Sequence, residues 1–136
     1  MVRLIYGDKG SGKTKMIIDD ANRAAENPYS NIAYLYVNKK YIYELKHNIR
    51  FIDTSDYDIK GSDLFLGFIN GLIASNFDLN IIYIDGFLKH MDKSLDQLGD
   101  LFKKLDEISI KHSVDFVLSV SANENEMPDF MKKFIA

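Results

Sequence analysis

Cysteine is absent from the chain, which excludes disulfides, thiolate metal sites and cysteine nucleophiles. Arginine is scarce: Arg3, Arg23 and Arg50 are the only ones. Arg3 falls in the first predicted strand and Arg23 far along the first predicted helix. Charge of one sign is not in excess either. With 17 basic against 20 acidic side chains and a formal charge of -3, the chain has no overall basic field, and nucleic acid is not an expected partner. Long hydrophobic runs are missing as well. The N-terminal run, Val2 to Tyr6, is interrupted by Arg3 and stops at Gly7, too short for a secretory core or a membrane span. The longest apolar stretch, "DLFLGFINGLIASNF", has the length of a buried helix and contains Asn70 and two glycines. These absences lead us to expect a cytoplasmic protein without a membrane span.

What is present is enough for one domain over residues 1–136, with 46% hydrophobic and 12% aromatic residues to build a core. Short apolar runs alternate with helical patterns, which predicts an α/β fold in which a mainly parallel sheet of about five strands lies between helical layers. Strands are expected at residues 2–6, 31–37, 49–53, 80–85 and 114–120, and helices at about 12–25 and 63–76. Ser62 is placed to cap the second helix, and Gly67 and Gly71 are spaced to let a neighbouring element approach closely. Leu95, Leu98, Phe102 and Leu105 recur at helical spacing within "DKSLDQLGDLFKKLDEISIKH", giving an amphipathic helix or, as a rival, a short coiled-coil seam. A last helix is expected to follow Pro128.

The first strand runs into "GDKGSGKT", residues 7–14. Lys9, Lys13 and Lys15 crowd the start of a helix, an end that already carries partial positive charge and unpaired N–H groups. A bound anion would offset this. The segment fits GxxxxGKT, the Walker A phosphate loop, in its required strand-to-helix context. Glycine permits backbone angles that turn consecutive N–H groups inward around phosphate oxygens. Lys13 can reach the β and γ phosphates, and the Thr14 hydroxyl can ligate Mg²⁺.

On these residues the chain resembles a P-loop nucleoside-triphosphatase. The resemblance implies phosphate contacts from Gly7, Asp8, Lys9, Gly10, Ser11, Gly12, Lys13, Thr14 and Lys15, with ATP and Mg²⁺ as cofactors. "IIYID" is similar to a Walker B strand, which gives Asp85 a share in Mg²⁺ binding with Thr14 and, with Lys13, a catalytic role. Lys9 stands four residues before Lys13, not five as in MinD- and ParA-type loops. "VNKKY" has Tyr41 where a guanine-reading NKxD motif needs aspartate. The order of elements resembles RecA-like and thymidine-kinase-like P-loop proteins, which implies that the strand at 114–120 lies between the other two motif strands and that Ser119 or Ser121 faces the terminal phosphate. Small ATP-binding proteins of this kind are sometimes labelled PilT-like, although the likeness to those motors is limited to shared P-loop architecture.

Gly86 and Phe87 follow Asp85 where many relatives carry a water-orienting glutamate, and the end of the second strand offers only Asn38 and Lys39. Slow hydrolysis is therefore expected, unless Glu44, Asp53 or a partner's residue substitutes. The resemblance leaves two functions open: a nucleotide-dependent switch acting on itself or a protein partner, and a small kinase passing the γ-phosphoryl to a nucleoside-type acceptor. Tyr34, Tyr36, Tyr41 and Tyr43 among Lys39, Lys40 and Lys46 raise base stacking, but strand alternation explains Tyr34 and Tyr36 more simply. His47, His90 and His112 are isolated and are assigned to no metal.

Overall fold

A computed structural model describes residues 1–135. Five parallel strands form one sheet: β1 (Val2–Gly7), β2 (Ile32–Tyr36), β3 (Arg50–Asp53), β4 (Ile81–Ile84) and β5 (Asp115–Ser121), in the spatial order β1-β5-β4-β2-β3. β5 thus lies between β1 and β4, as the element order implied. The helices are α1 (Lys13–Ala24), α2 (Ser62–Ser75), α3 (Gly99–His112) and a single turn, α4 (Asp129–Lys132).

Period-two alternation divides the core. Ala33, Leu35, Ile82, Ile84, Phe116, Leu118 and Val120 pack on one side with Phe65 and Ile69 of α2 and Leu101, Phe102 and Leu105 of α3. Their strand neighbours Tyr34, Tyr36, Tyr83 and Val117 face the other way, onto Ile17, Ile18 and Ala21 of α1. Central parallel strands covered on both faces read as unbroken apolar runs for this reason. α1 is fixed to the sheet by Asp20, which accepts from the Arg3 guanidinium at 2.8 Å and from the Tyr83 hydroxyl at 2.7 Å. Burial opposes charge on Asp20, but those two donors outweigh it and hold its carboxyl below the usual range. Arg3 is thereby a structural residue between β1 and α1.

Three local expectations are corrected. Gly61, at φ 93°, occupies the N-cap of α2 and no side chain caps that helix; Ser62 begins it, with Oγ 3.9 Å from Met91 Sδ. No element approaches Gly67 or Gly71, since nothing lies within 4 Å of a Cβ at either. Both line an open groove of about 420 Å³ with Arg50, Ile52 and Leu72. The Leu95 pattern divides, because Ser94 and Gln97 close a capping box around a separate turn, Leu95–Gln97, and α3 starts only at Gly99. Its buried residues face the sheet core and not a coiled-coil partner.

His90 supplies a pH test of this packing. It is fully buried, and Nε2 lies 2.9 Å from Thr54 Oγ1, whose hydroxyl donates to the Tyr36 carbonyl at 3.1 Å. Nε2 therefore carries the proton, and Nδ1 is buried with no hydrogen-bond partner. Burial lowers the His90 pKa, against the opposing pull of the Phe87 and Gly86 carbonyls and of Asp85. Below about pH 6.5 the unfolded chain takes up a proton that the folded one refuses, so this contribution to stability is complete above that pH and falls as pH drops further. Urea midpoints measured from pH 7.5 to 5 are expected to decline, and His90→Asn to flatten that decline; parallel slopes in the two proteins would rule His90 out as its source.

Candidate functional site

The C-terminal ends of β1, β4 and β5 and the start of α1 meet at one cleft of about 550 Å³. The loop from β1 turns through Gly10 (φ 83°) and Gly12 (φ 86°), left-handed angles that a side chain strongly disfavours. A Cβ on Gly7 would stand 3.0 Å from Ser11 Oγ, so the loop also closes on itself there. Lys13 is 7% exposed, and its ammonium donates to the Asp8 carbonyl at 2.7 Å and to Ser11 Oγ at 3.3 Å. Burial lowers its pKa, while Asp8 and Asp85 pull the other way. Helix α1 has no side-chain N-cap and no acid in its first turn, so none of its own residues compensates its positive end.

Asp85, one residue past β4, is the convergence point. Its Oδ1 accepts from Ser119 Oγ at 2.7 Å and faces the Thr14 hydroxyl at 3.4 Å, while Oδ2 accepts from the Tyr34 hydroxyl at 3.1 Å. Strand register makes this possible: Ile84 pairs with Leu118 on one side and with Leu35 on the other, which brings Ser119 alongside Asp85. Ser119 Oγ also accepts from the Gly86 amide at 2.8 Å. Burial, then the adjacent carboxylate, pushes the Tyr34 phenol far above its usual range and keeps it a donor.

Its fold is shared with a KaiC-like protein from Pyrococcus horikoshii OT3. The TM-score is 0.66 at 17% identity, covering 98% of this chain and 66% of that one, so the chain spans just under two thirds of that protein's length. This places the chain in the three-layer P-loop, RecA-like architecture and gives no support to the PilT-like label. No protein-family profile matches the sequence, and no curated protein matches it significantly. Among the described residues no helix is long and apolar enough to cross a membrane.

The expected site residues separate into groups. Lys9, Gly10, Gly12, Lys13, Thr14, Asp85, Ser119 and Ser121 all border the cleft. Gly7 and Ser11 shape the loop, and Asp8 contributes its carbonyl. Lys15 points elsewhere, paired with Asp19 at 3.0 Å on exposed α1 surface. Ser119 is 1% exposed and bonded to Asp85, so it holds that carboxylate in place, whereas exposed Ser121, beside Gly7 in the sheet, stands at the cleft edge. Neither suggested substitute base is present in the cleft. Asp53 is taken by Lys39 and Ser55, and Glu44 borders a different groove. Among the described residues Asp85 is the only carboxylate lining the cleft.

Sequence reasoning missed Tyr34 as a partner of Asp85 and Lys89 at the cleft wall, and weighed Tyr36, Tyr41 and Lys40, which also line the cleft, only for base stacking. The Tyr36 and Tyr41 rings lie 5.3 Å apart, with Lys89 over one and Lys40 over the other. Alternation put Tyr34 and Tyr36 on one sheet face; which groups they meet depends on the neighbouring strand.

Proposed function

We propose that the cleft binds a nucleoside triphosphate, ATP by default, together with Mg²⁺, and that the chain acts as a nucleotide-dependent switch with slow or partner-dependent hydrolysis. The observation that carries the reading is the meeting of Lys13, Thr14 and Asp85 around a loop whose glycines take left-handed angles at the uncapped start of α1. Such a helix end with an adjacent ammonium favours a phosphate chain.

The donors fit magnesium. Thr14 and Asp85 offer hard oxygens on one side of the cleft, and among the described residues no group of three or more His, Cys, Asp or Glu side chains could cage a metal alone. Mg²⁺ is ordinarily held by one or two such groups plus phosphates and water. When bound it would neutralise phosphate charge. Lys13 would grip phosphate oxygens, and Ser119 and Tyr34 would keep the Asp85 carboxylate aimed. With no second carboxylate to orient a water, the 10²- to 10⁴-fold gain typical of general-base catalysis is missing.

Titration calorimetry with ATP, with and without Mg²⁺, tests the binding. Heat that depends on Mg²⁺ is expected, with phosphate release far slower than the median enzyme turnover of ~10 per second. Absence of heat would sink the reading, and rapid release by the chain alone would overturn the switch. Light scattering with and without ATP reads self-assembly, and an unchanged monomer mass argues against a self-assembling switch. One observation favours a second reading, the kinase: a groove of about 550 Å³ along α1 shares Thr14 and Tyr41 with the cleft and offers room for an acceptor. ATP consumption that depends on one member of a nucleoside panel would support it.

A further inference from the structure

The cleft carries more positive charge than its loop alone supplies. Lys9, Lys13, Lys40 and Lys89 line it against the single carboxylate of Asp85, in a protein of net charge -3. Among the described residues Lys89 is in no salt bridge. Its placement is specific nonetheless. Lys89 is exposed on the turn Phe87–His90 that follows Asp85; its Nζ stands 5.2 Å from the centre of the Tyr36 ring and donates to the Tyr36 hydroxyl at 3.2 Å. The lysine stem lies across Gly86, where a Cβ would meet Lys89 Cδ at 3.2 Å and Tyr36 Cε1 at 3.4 Å. In the order β1-β5-β4-β2 the loop after β1 and Tyr36 at the end of β2 lie on opposite sides of the Asp85 strand, so the Lys89 ammonium lines the cleft on the β2 side.

We propose that Lys89 is the residue by which the cleft distinguishes a triphosphate from a diphosphate, leaving the Tyr36 ring to donate to the terminal phosphate. This rests on the phosphate-loop reading above. In a phosphate chain anchored at residues 7–14, an outermost group extending past Thr14 and Asp85 towards β2 would enter the part of the cleft that Lys89 lines. Lys89 waits there on a neutral hydroxyl and an aromatic face, a weaker hold than a charge-assisted bond to a phosphate oxygen. Its flexible four-carbon stem lets the ammonium exchange one partner for the other. A diphosphate ends short of it, so removal of the ammonium costs triphosphate binding alone.

The test is calorimetry in Mg²⁺ with the β,γ-imido analogue of ATP and, separately, ADP, on wild type, Lys89→Ala and Lys89→Arg. Lys89→Ala is expected to weaken the triphosphate analogue roughly tenfold to a hundredfold while ADP stays within about twofold. Lys89→Arg should recover part of the loss. Because Lys89 is exposed on a turn, its alanine variant should melt with the wild type. Equal weakening of both ligands, or no change in either, overturns the assignment while leaving the phosphate-loop reading intact. A wild type that binds neither ligand overturns both.

Discussion

Lys13→Ala is expected to lower the proposed affinity for Mg²⁺-ATP by about a hundredfold or more in calorimetry, and to shift the urea midpoint little. The binding loss follows from the position of the ammonium, which is nearly buried inside the loop with only the Asp8 carbonyl and Ser11 hydroxyl as partners. Both are neutral acceptors, and a phosphate oxygen is a stronger one. Charge-assisted bonds are worth about 1.5–3 kcal/mol each, and every 1.4 kcal/mol is tenfold, so losing two, or one at the upper end of that range, gives the stated drop. Two effects on stability oppose each other. Alanine forfeits two hydrogen bonds, each about 0.5–1.5 kcal/mol net. It also removes a cation from the positive end of α1 and relieves the burial that lowers the Lys13 pKa. These offset, and a change within about 1 kcal/mol is expected. A large fall in the urea midpoint would mean that Lys13 serves the fold more than a ligand, and affinity unchanged by the substitution would count against the phosphate-loop reading.

Asp85→Ala is expected to remove the Mg²⁺-dependent part of nucleotide binding and to destabilise the protein by about 2–4 kcal/mol, whereas Asp85→Asn removes the same part of binding at a cost below about 1.5 kcal/mol. The carboxylate is 2% exposed and accepts from Tyr34 and Ser119. Truncation leaves the fully buried Tyr34 hydroxyl without an acceptor, which costs about 1–3 kcal/mol, and opens a small void. Against this, alanine escapes the cost of burying a charge. We expect the unpaired hydroxyl to outweigh that gain, because both carboxylate oxygens have donors in the fold. Asparagine fills the same space: its oxygen can accept from Ser119 and its amide can donate to the Tyr34 oxygen, so the buried hydroxyl keeps one hydrogen bond that alanine denies it. What it lacks is the negative charge that would draw Mg²⁺. The two variants therefore separate the electrostatic role of Asp85 from its packing role. Urea midpoints read the second, and calorimetry with and without Mg²⁺ reads the first. Equal destabilisation by alanine and asparagine would mean that charge, not hydrogen bonding, holds this corner of the sheet.

The sequence determined the parts of this protein that depend on local periodicity and on residues with few conformational options. The unbroken apolar run at residues 81–84 marked a central parallel strand, since a strand covered on both faces is apolar at every position, while the place of the strand at 114–120 came from the resemblance alone. The spacing of Gly7, Gly12, Lys13 and Thr14 fixed the loop, because glycine angles and a helix start are written within eight residues. The tertiary structure alone decided which side chains meet across strands. Ser119 and Tyr34 reach Asp85 from 34 and 51 residues away, through register between β5, β4 and β2 that no single strand's pattern encodes. In the same way it removed Asp53 from the cleft, by placing it on the edge strand β3 under Lys39, and it laid Lys89 over Tyr36 across a glycine that leaves the space open. Local chemistry chose the elements; the order in which the strands pair chose the neighbours, because contacts distant in sequence exist only once the sheet has formed.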